Sequence, residues 1–529
     1  MDEFDIIVIG GGSGGSAAAG RLSEDGQYRV CLIEAGTANK DWRIKAPGMM
    51  PFLPKNTNWA FETVPQKGLG GRTGYQPRGK GLGGSSAINA MVYIRGCAWD
   101  YDNWAALGCD GWAYEDVLPY FKRSESNARG GDDYHGQDGP LSVCDQMSPN
   151  PGSLDFVEAG AALQIPRNDD FNGAQFEGVG LFQVTHKKGE RWSSARAYVE
   201  ANRDAGRLHV ETQALVHKVL IENGRVVGVE YSQHGKTKIV RARKAVILAG
   251  GVFGTPQILM LSGIGPADHL RDHGIDVIVD RPAVGSHLQD HIDYVSGFET
   301  GGTIFKGSNL RTTFRTATSL IEWFRKRTGE MTTPYAEAGG FIKSAPSVAV
   351  PDLQLHFVPA ILENHGQEKV KEAGFSCHVC VLRPFSEGSV RLSSRDPAVA
   401  PLIDPNFFGD ARDMAVMKAG IRQMHRIIDA PPLAKHGGKD RHNTPLDDDA
   451  ALETLIRARA DTVYHPVGTA RMGGDADAVC DPHLRVCGVK GLYIADASIM
   501  PRLISGNTNA PSMMIGERCA DFVRGDLTG

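Results

Sequence analysis

Glycines near the start of the chain and one acidic residue downstream of them are spaced for nucleotide binding. Gly10-x-Gly12-x-x-Gly15 follows the apolar run 4–9, and Glu34 lies about 20 residues beyond the glycines. Gly10 permits a tight turn, Gly12 lets the backbone approach a pyrophosphate, and Gly15 lets a helix pack closely on a strand. The N–H groups that begin such a helix favour the pyrophosphate charge, and Glu34 stands where a carboxylate binds a ribose hydroxyl.

A second glycine-rich run occupies residues 79–89, with the sequence GKGLGGSSAIN. One glycine loop after a strand indicates a dinucleotide. Two loops with this spacing indicate a dinucleotide whose second half is a flavin, so the chemistry to expect is oxidation and reduction.

The elements that position these loops follow from the pattern of apolar residues. Residues 4–9 and 29–34 have the character of buried parallel strands, and the small residues 16–22 between them are compatible with a helix, which makes a βαβ unit. An Asn223-Gly224 turn predicts a hairpin. Further strands are predicted at 207–212, 215–222, 226–231, 244–251 and 491–496.

The sequence changes character between residues 298 and 450, where amphipathic stretches such as 319–326 alternate with strands such as 353–358 and 388–393. We predict a nucleotide-binding domain of residues 1–155, 205–297 and 451–529. A substrate domain of residues 156–204 and 298–450 is interleaved with it. The predicted fold class is α/β, with a Rossmann-like domain and an α+β substrate domain that carries a mostly antiparallel sheet.

Bulk composition excludes several classes of protein. A chain of 529 residues is too long for one core, and its net charge of -5 argues against a nucleic-acid binder. The nine cysteines are scattered, and the one close pair, Cys377-x-x-Cys380, lies in the strand-like run 375–382 without a second pair to complete a zinc site. We interpret that pair as structural, predict no metal, and expect a reducing compartment.

Four ordered segments resemble the glucose–methanol–choline (GMC) family of FAD-dependent oxidoreductases. They are residues 10–36, residues 79–102, residues 254–265, and residues 464–473 together with 495–509. Val252 stands where the family usually has a smaller residue. Residues 58–61 and 191–196 resemble in particular the choline dehydrogenases and the alkanol and polyethylene glycol dehydrogenases of that family.

The resemblance implies an FAD-binding domain and assigns contacts to individual residues. Some relatives attach FAD covalently to a histidine just before the second motif's asparagine. That position is Ile88 here, so the FAD is expected to be non-covalent. The implied cofactor residues are Gly10, Gly12, Ser13, Gly14, Gly15, Glu34, Ala35, Trp59, Gly79, Leu82, Gly84, Ser85, Asn89, Ala90, Met91, Val92, Val216, Ala249, Asp496, Ala497, Asn507, Thr508 and Asn509.

The resemblance also implies a catalytic pair. Removing a hydride from an alcohol is easier once a base has taken the hydroxyl proton, and an imidazole suits that task. His465 matches the family's base, and Asn507 matches the partner that stabilises the developing alkoxide. Asn509 has the same chemistry two residues on and is the alternative.

The expected function is FAD-dependent oxidation of a primary alcohol to its aldehyde. His465 takes the proton, flavin N5 takes the hydride, and an acceptor other than oxygen, such as a quinone or another carrier, takes the electrons. Alternatives are a choline dehydrogenase proper, an alcohol oxidase that uses O₂, an FAD-containing lyase, and a NAD-dependent enzyme that uses only the first glycine loop.

The sequence also bears on the cellular location of the protein. The acidic N-terminus lacks the features of a signal peptide, and the uncharged stretch 245–267 is better explained by a strand, turn and helix than by a membrane span. We expect a cytoplasmic protein and leave open a peripheral contact with the inner face of the membrane. The apolar segment 46–54, expected to lack secondary structure, could line a substrate entrance or touch that membrane.

Overall fold

The computed structural model describes residues 3–301, 304–307 and 310–528, with side chains from residue 314 onward in the last range. Two large sheets dominate this part of the chain. Their strands, numbered in chain order, are β1 Glu3–Ile9, β2 Val30–Ile33, β3 Gly178–Leu181, β4 Leu208–Glu211, β5 Ala214–Glu222, β6 Arg225–Gln233, β7 Lys236–Leu248, β8 Ile292–Glu299, β9 Ala338–Ile342, β10 Leu353–Val358, β11 Gly374–Val381, β12 Lys439–Asp440, β13 Asp461–Thr462 and β14 Leu492–Ile494.

The helices cover both sheets and are also numbered in chain order. They are α1 Ser13–Ser23, α2 Trp42–Lys45, α3 Ala98–Ala106, α4 Tyr114–Ser124, α5 Pro151–Ala162, α6 Glu200–Asp204, α7 Gly251–Leu261, α8 Ala267–Asp272, α9 Leu310–Lys326, α10 Ala411–Ile428, α11 Pro431–Ala434, α12 Asp449–Arg459 and α13 Asn509–Thr528. Among the described residues, no helix combines the length and the apolar character needed to cross a bilayer.

The first sheet is the predicted nucleotide-binding sheet. Its order is β4-β2-β1-β7-β6-β5, with β14 also pairing with β7. The pairs β4–β2, β2–β1, β1–β7 and β7–β14 are parallel, whereas β5, β6 and β7 form an antiparallel meander. Strands β2 and β14 and the Ile6–Ile9 part of β1 consist entirely of buried apolar residues, as expected of strands covered on both faces, whereas the edge strand β4 buries only Leu208.

The second sheet is antiparallel throughout, in the order β12-β8-β11-β10-β9-β3, with β13 pairing with β8. Helices α5, α10 and α12 contribute buried side chains to the core on one of its faces. The predicted fold class, an interleaved Rossmann-like domain and an α+β domain with an antiparallel sheet, is confirmed.

The chain changes sheet at slightly different points from the predicted ones. Strand β8 begins at Ile292 and belongs wholly to the second sheet, although the predicted boundary falls between residues 297 and 298. Helix α12 and strand β13 also pack on the second sheet, at residues assigned by prediction to the nucleotide-binding domain. The reason is that sheet membership depends on distant pairing partners, which local composition does not reveal.

Segment 46–54 differs from its prediction as well. Pro47–Phe52 forms turns of 3-10 helix rather than an irregular loop. A proline at the first helical position favours such turns because its fixed φ suits the helix and its missing N–H would have no partner there. Cys377 and Cys380 both lie on β11, three residues apart, so their side chains point to opposite faces of the sheet.

Candidate active site

The two glycine loops meet at the carboxyl end of the first sheet. The Gly83 N–H donates to the Gly11 carbonyl at 2.7 Å, and a Cβ placed on Gly84 would lie 2.7 Å from the Gly12 Cα. Gly84 also has a φ of +50°, which favours glycine. Only glycine at this position therefore lets the loops come so close.

Glu34 joins the two loops. Its carboxylate accepts N–H bonds from Gly11 at 2.8 Å, from Gly36 at 2.7 Å and from Gly81 at 2.9 Å. Burial raises the pKa of Glu34, and the three N–H donors oppose that rise by favouring the charged form. Glu34, which is predicted to bind a ribose, thus also holds the two glycine loops together.

The first loop fits the pyrophosphate of a dinucleotide. Helix α1 begins after Gly12 with no side chain capping its N–H groups, and a Cβ on Gly12 would meet nothing within 4 Å. Uncapped N–H groups beside open space are what an anionic group needs at a helix N-terminus. Ser13 donates its hydroxyl to Asn509 Oδ1 at 2.7 Å, which brings the start of α13 to the same place.

Three further predicted cofactor residues lie on strands or directly after them. The Ala214 N–H donates to the Glu34 carbonyl, and Val216 follows two residues later on β5. The Ala249 N–H donates to the Ile9 carbonyl at the end of β1. Of the predicted residues, Glu34 and Ala35 directly follow β2, Ala249 directly follows β7, and Val216 lies near the start of β5.

Asp496 has a different environment from a free ligand-binding carboxylate. It accepts bonds from the Gly251 N–H at 2.9 Å, the Thr255 hydroxyl at 2.5 Å and the Ser498 N–H at 2.8 Å. It therefore ties the start of α7 to the turn that includes Ala497.

Trp59, another predicted cofactor residue, stacks on Phe61, and the Lys80 ammonium lies over its ring, 4.2 Å from the ring centroid.

Residues Asn89–Val92, which the family resemblance implies as cofactor contacts, are held by several hydrogen bonds and by apolar packing. Asn89 Oδ1 accepts bonds from the Met91 N–H at 3.0 Å and from Arg191 Nη1 at 2.7 Å. Met91 is buried with a φ of +60°, an uncommon conformation for a side chain of this kind. Ala90 and Val92 join an apolar cluster with Phe182 and Phe341. The remaining predicted positions on this loop are Gly79, whose N–H donates to Ser85 Oγ, and Leu82, whose N–H donates to Thr37.

His465 and Asn507 are neighbours. His465 is buried, and its Nε2 lies 3.0 Å from Asn507 Nδ2. Asn509 instead contacts Ser13 at the first glycine loop, so the two asparagines lie in different surroundings. Thr508 lies between them, and its carbonyl accepts the Ser512 hydroxyl. Of the two candidates, Asn507 is the one beside the imidazole.

The tautomer of His465 follows from its second neighbour, His291. His291 Nε2 lies 3.0 Å from the Leu382 carbonyl, which can only accept, so this nitrogen carries a proton. Burial lowers the pKa of His291 to about 3, so the ring is neutral and its Nδ1 has a lone pair. His465 Nδ1 lies 3.0 Å from that nitrogen and must therefore donate. His465 Nε2 is then unprotonated and faces Asn507.

The electrostatic environment keeps the His465 imidazole neutral. Burial lowers its pKa well below the usual 6.5, and His291, His356 and Arg78 lower it further. The backbone N–H of His465 donates to Asp290 Oδ1 at 2.9 Å, and burial raises the pKa of Asp290 to about 6. The ring is thus a free base throughout the neutral range, although a weaker one than an exposed imidazole.

The orientation of Asn507 is set from the second sheet. Gln354 Nε2 donates to Asn507 Oδ1 at 3.2 Å, and Gln354 Oε1 faces Cys380 Sγ at 3.8 Å. With its oxygen held in this way, Asn507 presents its NH₂ group to His465 Nε2. One of the two N–H bonds of that group remains for a substrate oxygen.

Polar side chains cover the face of the second sheet that carries Gln354. His356 lies two residues along β10 and therefore on the same face, while His378 and Cys380 oppose them on β11. His378 Nδ1 is 2.7 Å from Asp293 Oδ2 on β8. Three buried atoms of this face, Asp293 Oδ1, His356 Nδ1 and His378 Nε2, have no hydrogen-bond partner. A buried polar atom needs a hydrogen-bond partner, and a bound ligand or an ordered water would supply one here.

The sequence did not single out His291, Gln354, Asp290 or Arg78. Arg78 donates to the Tyr464 carbonyl at 2.7 Å and holds that residue at a φ of +74°, immediately before His465. The polar run Gln289-Asp290-His291 before a buried strand is the one local signal that could have indicated a site there.

Comparison with known proteins identifies the family. A family model described as GMC oxidoreductase matches residues 4–293, and a second with the same description matches residues 384–516. The chain is 44% identical to an alcohol dehydrogenase [acceptor] of Pseudomonas putida, over 98% of this chain and 95% of that protein. It is 39% identical to the mitochondrial choline dehydrogenase of Homo sapiens, over 99% of this chain and 90% of the relative.

A solved structure with a similar fold is that of an FAD-dependent oxidoreductase from Chaetomium thermophilum. The two chains superpose with a TM-score of 0.91 at 27% identity, covering 99% of this chain and 100% of the other. The similarity therefore extends over both domains.

Proposed function

The chain belongs to the GMC oxidoreductase family, and from that premise we propose that it oxidises a primary alcohol to its aldehyde. The observation that carries the proposal is the unprotonated Nε2 of His465, held by His291 on one side and facing the NH₂ group of Asn507 on the other. A substrate hydroxyl that replaces the Asn507 N–H at the single lone pair of Nε2 would give its proton to the imidazole, while Asn507 donates to the oxygen left behind.

The enzyme uses FAD, as GMC oxidoreductases do. Glu34, the uncapped start of α1 and the Asn89–Val92 segment are the residues we propose to hold it. We propose that the FAD is bound without a covalent link, because Ile88 offers no nucleophile. When bound, FAD accepts the hydride that leaves the carbinol carbon.

The side chains carry out the proton chemistry. The substrate hydroxyl gives its proton to His465 Nε2, and the C–H bond breaks with its electron pair leaving as hydride, so the alcohol loses two hydrogens to become an aldehyde. The Asn507 N–H donates to the oxygen throughout. The proton taken up makes an imidazolium whose Nδ1–H already has His291 as its acceptor.

Two features bear on the identity of the alcohol. The apolar cluster of Phe182, Phe341 and Val92 adjoins Gly506, since a Cβ there would contact Phe341. That cluster favours an alcohol with an apolar chain. The buried Asp293 carboxylate favours a second candidate, choline, whose quaternary ammonium needs a negative or aromatic neighbour. Asp293 already pairs with His378, which leaves one oxygen for a cation.

For the electrons that leave the flavin, we propose an acceptor other than oxygen, such as a quinone or another carrier. Support comes from the relative named for a generic acceptor, at 44% identity. We propose the cytoplasm as the location, with a peripheral contact to the inner face of the membrane where a quinone would be met.

The test is anaerobic addition of alcohols to the purified holoenzyme. A primary alcohol should bleach the visible flavin absorbance and yield one aldehyde per FAD, with a dye restoring the colour faster than air does. A flavin that stays oxidised with every alcohol, while the protein cleaves a cyanohydrin, would identify a lyase instead. Comparison of kcat/KM for choline and for a straight-chain alcohol then separates the two substrate candidates.

A further inference from the structure

Two segments far apart in sequence form one surface beside the active site. Ala46, Trp323 and Met331 are buried together in a small core, with Met49 and Leu320 packed against them. This core joins helix α9 to α2 and the following 3-10 turns of Pro47–Phe52. The Trp323 indole N–H donates to the Gly189 carbonyl at 2.8 Å and so attaches α9 to the rest of the protein.

The outward side of this unit exposes large apolar side chains. We call Trp42, Phe52, Phe314, Ile321 and Phe324 the aromatic surface. Phe314, Ile321 and Phe52 are 73%, 55% and 51% exposed, the highest values for any large apolar side chain that the structure describes. Phe314 and Ile321 are seven residues apart and lie on one face of α9, and Phe324 contacts Trp42 with ring centroids 5.1 Å apart.

Positive charge accompanies these side chains. Residues 40–55 hold four basic residues and one acidic one, and residues 310–327 hold five basic residues and one acidic one, in a chain whose net charge is -5. The remainder of the protein is therefore strongly acidic. Lys40, Lys45, Lys55, Arg325 and Lys326 are exposed, and within the described ranges none of them is paired with a carboxylate.

The two acidic residues of these segments cancel only part of this charge. Asp41 is paired with Arg43 at 2.7 Å, and Glu322 accepts the Thr328 hydroxyl at 2.9 Å at the edge of the helix. Arg315 and Arg327 are paired with Glu330 and Glu190. The cations without a carboxylate partner are neighbours in sequence of the aromatic surface: Lys40 and Lys45 flank Trp42, and Arg325 and Lys326 follow Phe324.

The surface adjoins the wall of the flavin site. Arg191 donates to the Ile44 carbonyl at 3.0 Å and, through Nη1, to Asn89 Oδ1 at 2.7 Å. Tyr335, which packs with Ala90 and Val92, donates its hydroxyl to the Gly48 carbonyl at 2.9 Å. Arg191 and Tyr335 thus connect this surface to the Asn89–Val92 segment.

We propose that the aromatic surface docks on an anionic phospholipid bilayer, with α9 lying in the plane of the headgroups. An amphipathic helix with exposed aromatic side chains and flanking basic residues has the chemistry of an interfacial anchor. Phe314, Ile321 and Phe324 would enter the acyl boundary, and the free lysines and arginine would contact phosphate groups. The inference deepens the membrane contact of the proposed function by naming its surface, and it is independent of the alcohol oxidised.

The experiment is co-sedimentation of the holoenzyme with vesicles of phosphatidylglycerol and phosphatidylcholine, compared with vesicles of phosphatidylcholine alone. Binding should require phosphatidylglycerol and weaken as salt is raised, because exposed charges are screened. The double variant Phe314→Ser/Phe324→Ser and the double variant Arg325→Glu/Lys326→Glu should each bind at least 10-fold more weakly. The matched control Ile278→Ser, which removes another half-exposed apolar side chain, should bind like the wild type.

Turnover with a soluble dye is measured in parallel for every variant. Unchanged dye turnover with lost vesicle binding supports the proposal. Wild-type protein that ignores both kinds of vesicle, or variants that bind as well as the wild type, overturns it. So does light scattering that shows the surface buried between two copies of the chain, with monomers produced by the double serine variant. A wild type that binds vesicles but oxidises no alcohol refutes the proposed function and leaves the docking surface standing.

Discussion

The side chains that define the active site act as a directed chain of hydrogen bonds. The Leu382 carbonyl determines that His291 is protonated at Nε2, and His291 in turn determines that His465 is protonated at Nδ1. Gln354 sets the orientation of the Asn507 amide. Apart from the second N–H bond of Asn507, each donor of this chain has an acceptor, and the neutral state of His291 determines which nitrogen of His465 carries the proton. Its product is an unprotonated His465 Nε2 beside an N–H bond of Asn507 that remains available to a substrate, with the imidazole itself buried.

The neutral state of His465 predicts an unusual pH profile. Because burial and three neighbouring groups lower its pKa well below 6.5, the neutral form of His465, to which we assign the proton transfer, persists as the pH falls through the range where an ordinary histidine becomes charged. We expect kcat/KM to stay level from neutral pH down past 6.5 and to fall only in more acidic solution. A profile that loses half its value at 6.5 or above would contradict this.

His291 is predicted to act as a positioning residue. The substitution His291→Phe removes the acceptor of the His465 Nδ1–H, so the imidazole loses its fixed tautomer and orientation. We expect kcat to fall by about 10- to 100-fold with KM little changed, by analogy with other groups that orient a catalytic ligand. Steady-state kinetics at fixed FAD content measures this. His209→Phe, at an exposed position on β4, is the matched control, and equal kcat in both variants would refute the role.

At the scale of elements, the site exists because two loops at the end of the first sheet face a wall of the second. The glycine loops, β1, β2 and α1 are local features with local signals, and the sequence therefore predicts them closely. The run 353–358 likewise coincides with β10. Gln354 could not be recognised, because its position opposite Cys380 depends on the register between β10 and β11.

The other polar residues near the site could not be predicted from the sequence for the same physical reason. Asp293, His356 and His378 come from three strands, and only the pairing of those strands brings them to one face. His465 and Asn507 were reached through family resemblance, whereas His291 has no neighbour in sequence that indicates its role. Contacts between residues more than a hundred positions apart are set by the packing of whole elements.

The close approach of the two glycine loops predicts the effect of a single methyl group. In Gly84→Ala the new Cβ would lie 2.7 Å from the Gly12 Cα, so the loops must separate and the pyrophosphate cradle opens. We expect the purified variant to retain less than a tenth of the wild-type FAD content. Gly70→Ala is the control, because Gly70 also has a left-handed φ of +70° but has open space around its Cα.

The measurement is the ratio of flavin absorbance to protein absorbance after gel filtration. Both substitutions carry the backbone strain of a left-handed alanine, about 1 kcal/mol, so only the crowding differs between them. Equal flavin content in the two variants would show that the loops have room to move apart and that our account of the cradle is wrong.

At the scale of the whole molecule, a buried charge cluster links parts of the chain assigned to different domains. His135 lies 3.1 Å from Glu125 and 2.9 Å from Asp170, and Arg95 pairs with the same Glu125. Asp170 belongs to the 156–204 insertion, whereas the other three residues precede it. The hydrogen bonds to these carboxylates outweigh burial and raise the pKa of His135 to about 9.

This cluster predicts how stability depends on pH. Because the pKa of His135 in the folded protein is above its ordinary value of 6.5, the stabilisation is fully present below 6.5 and is lost as the pH rises through 9. We expect the Tm of the wild type to fall between pH 7 and pH 10 by more than that of His135→Gln, which cannot titrate. Parallel Tm curves for the two proteins over that range would contradict the prediction.

Stopped-flow reduction of the bound flavin by an alcohol, in the absence of oxygen, tests most directly whether His465 takes the hydroxyl proton. His465→Gln keeps a polar side chain beside Asn507 but has no comparable base. We predict that the variant retains its FAD and that the rate of flavin bleaching falls by about 10²- to 10⁴-fold, the usual contribution of a general base. Bleaching at the wild-type rate in a variant with full FAD content would show that another group takes the proton.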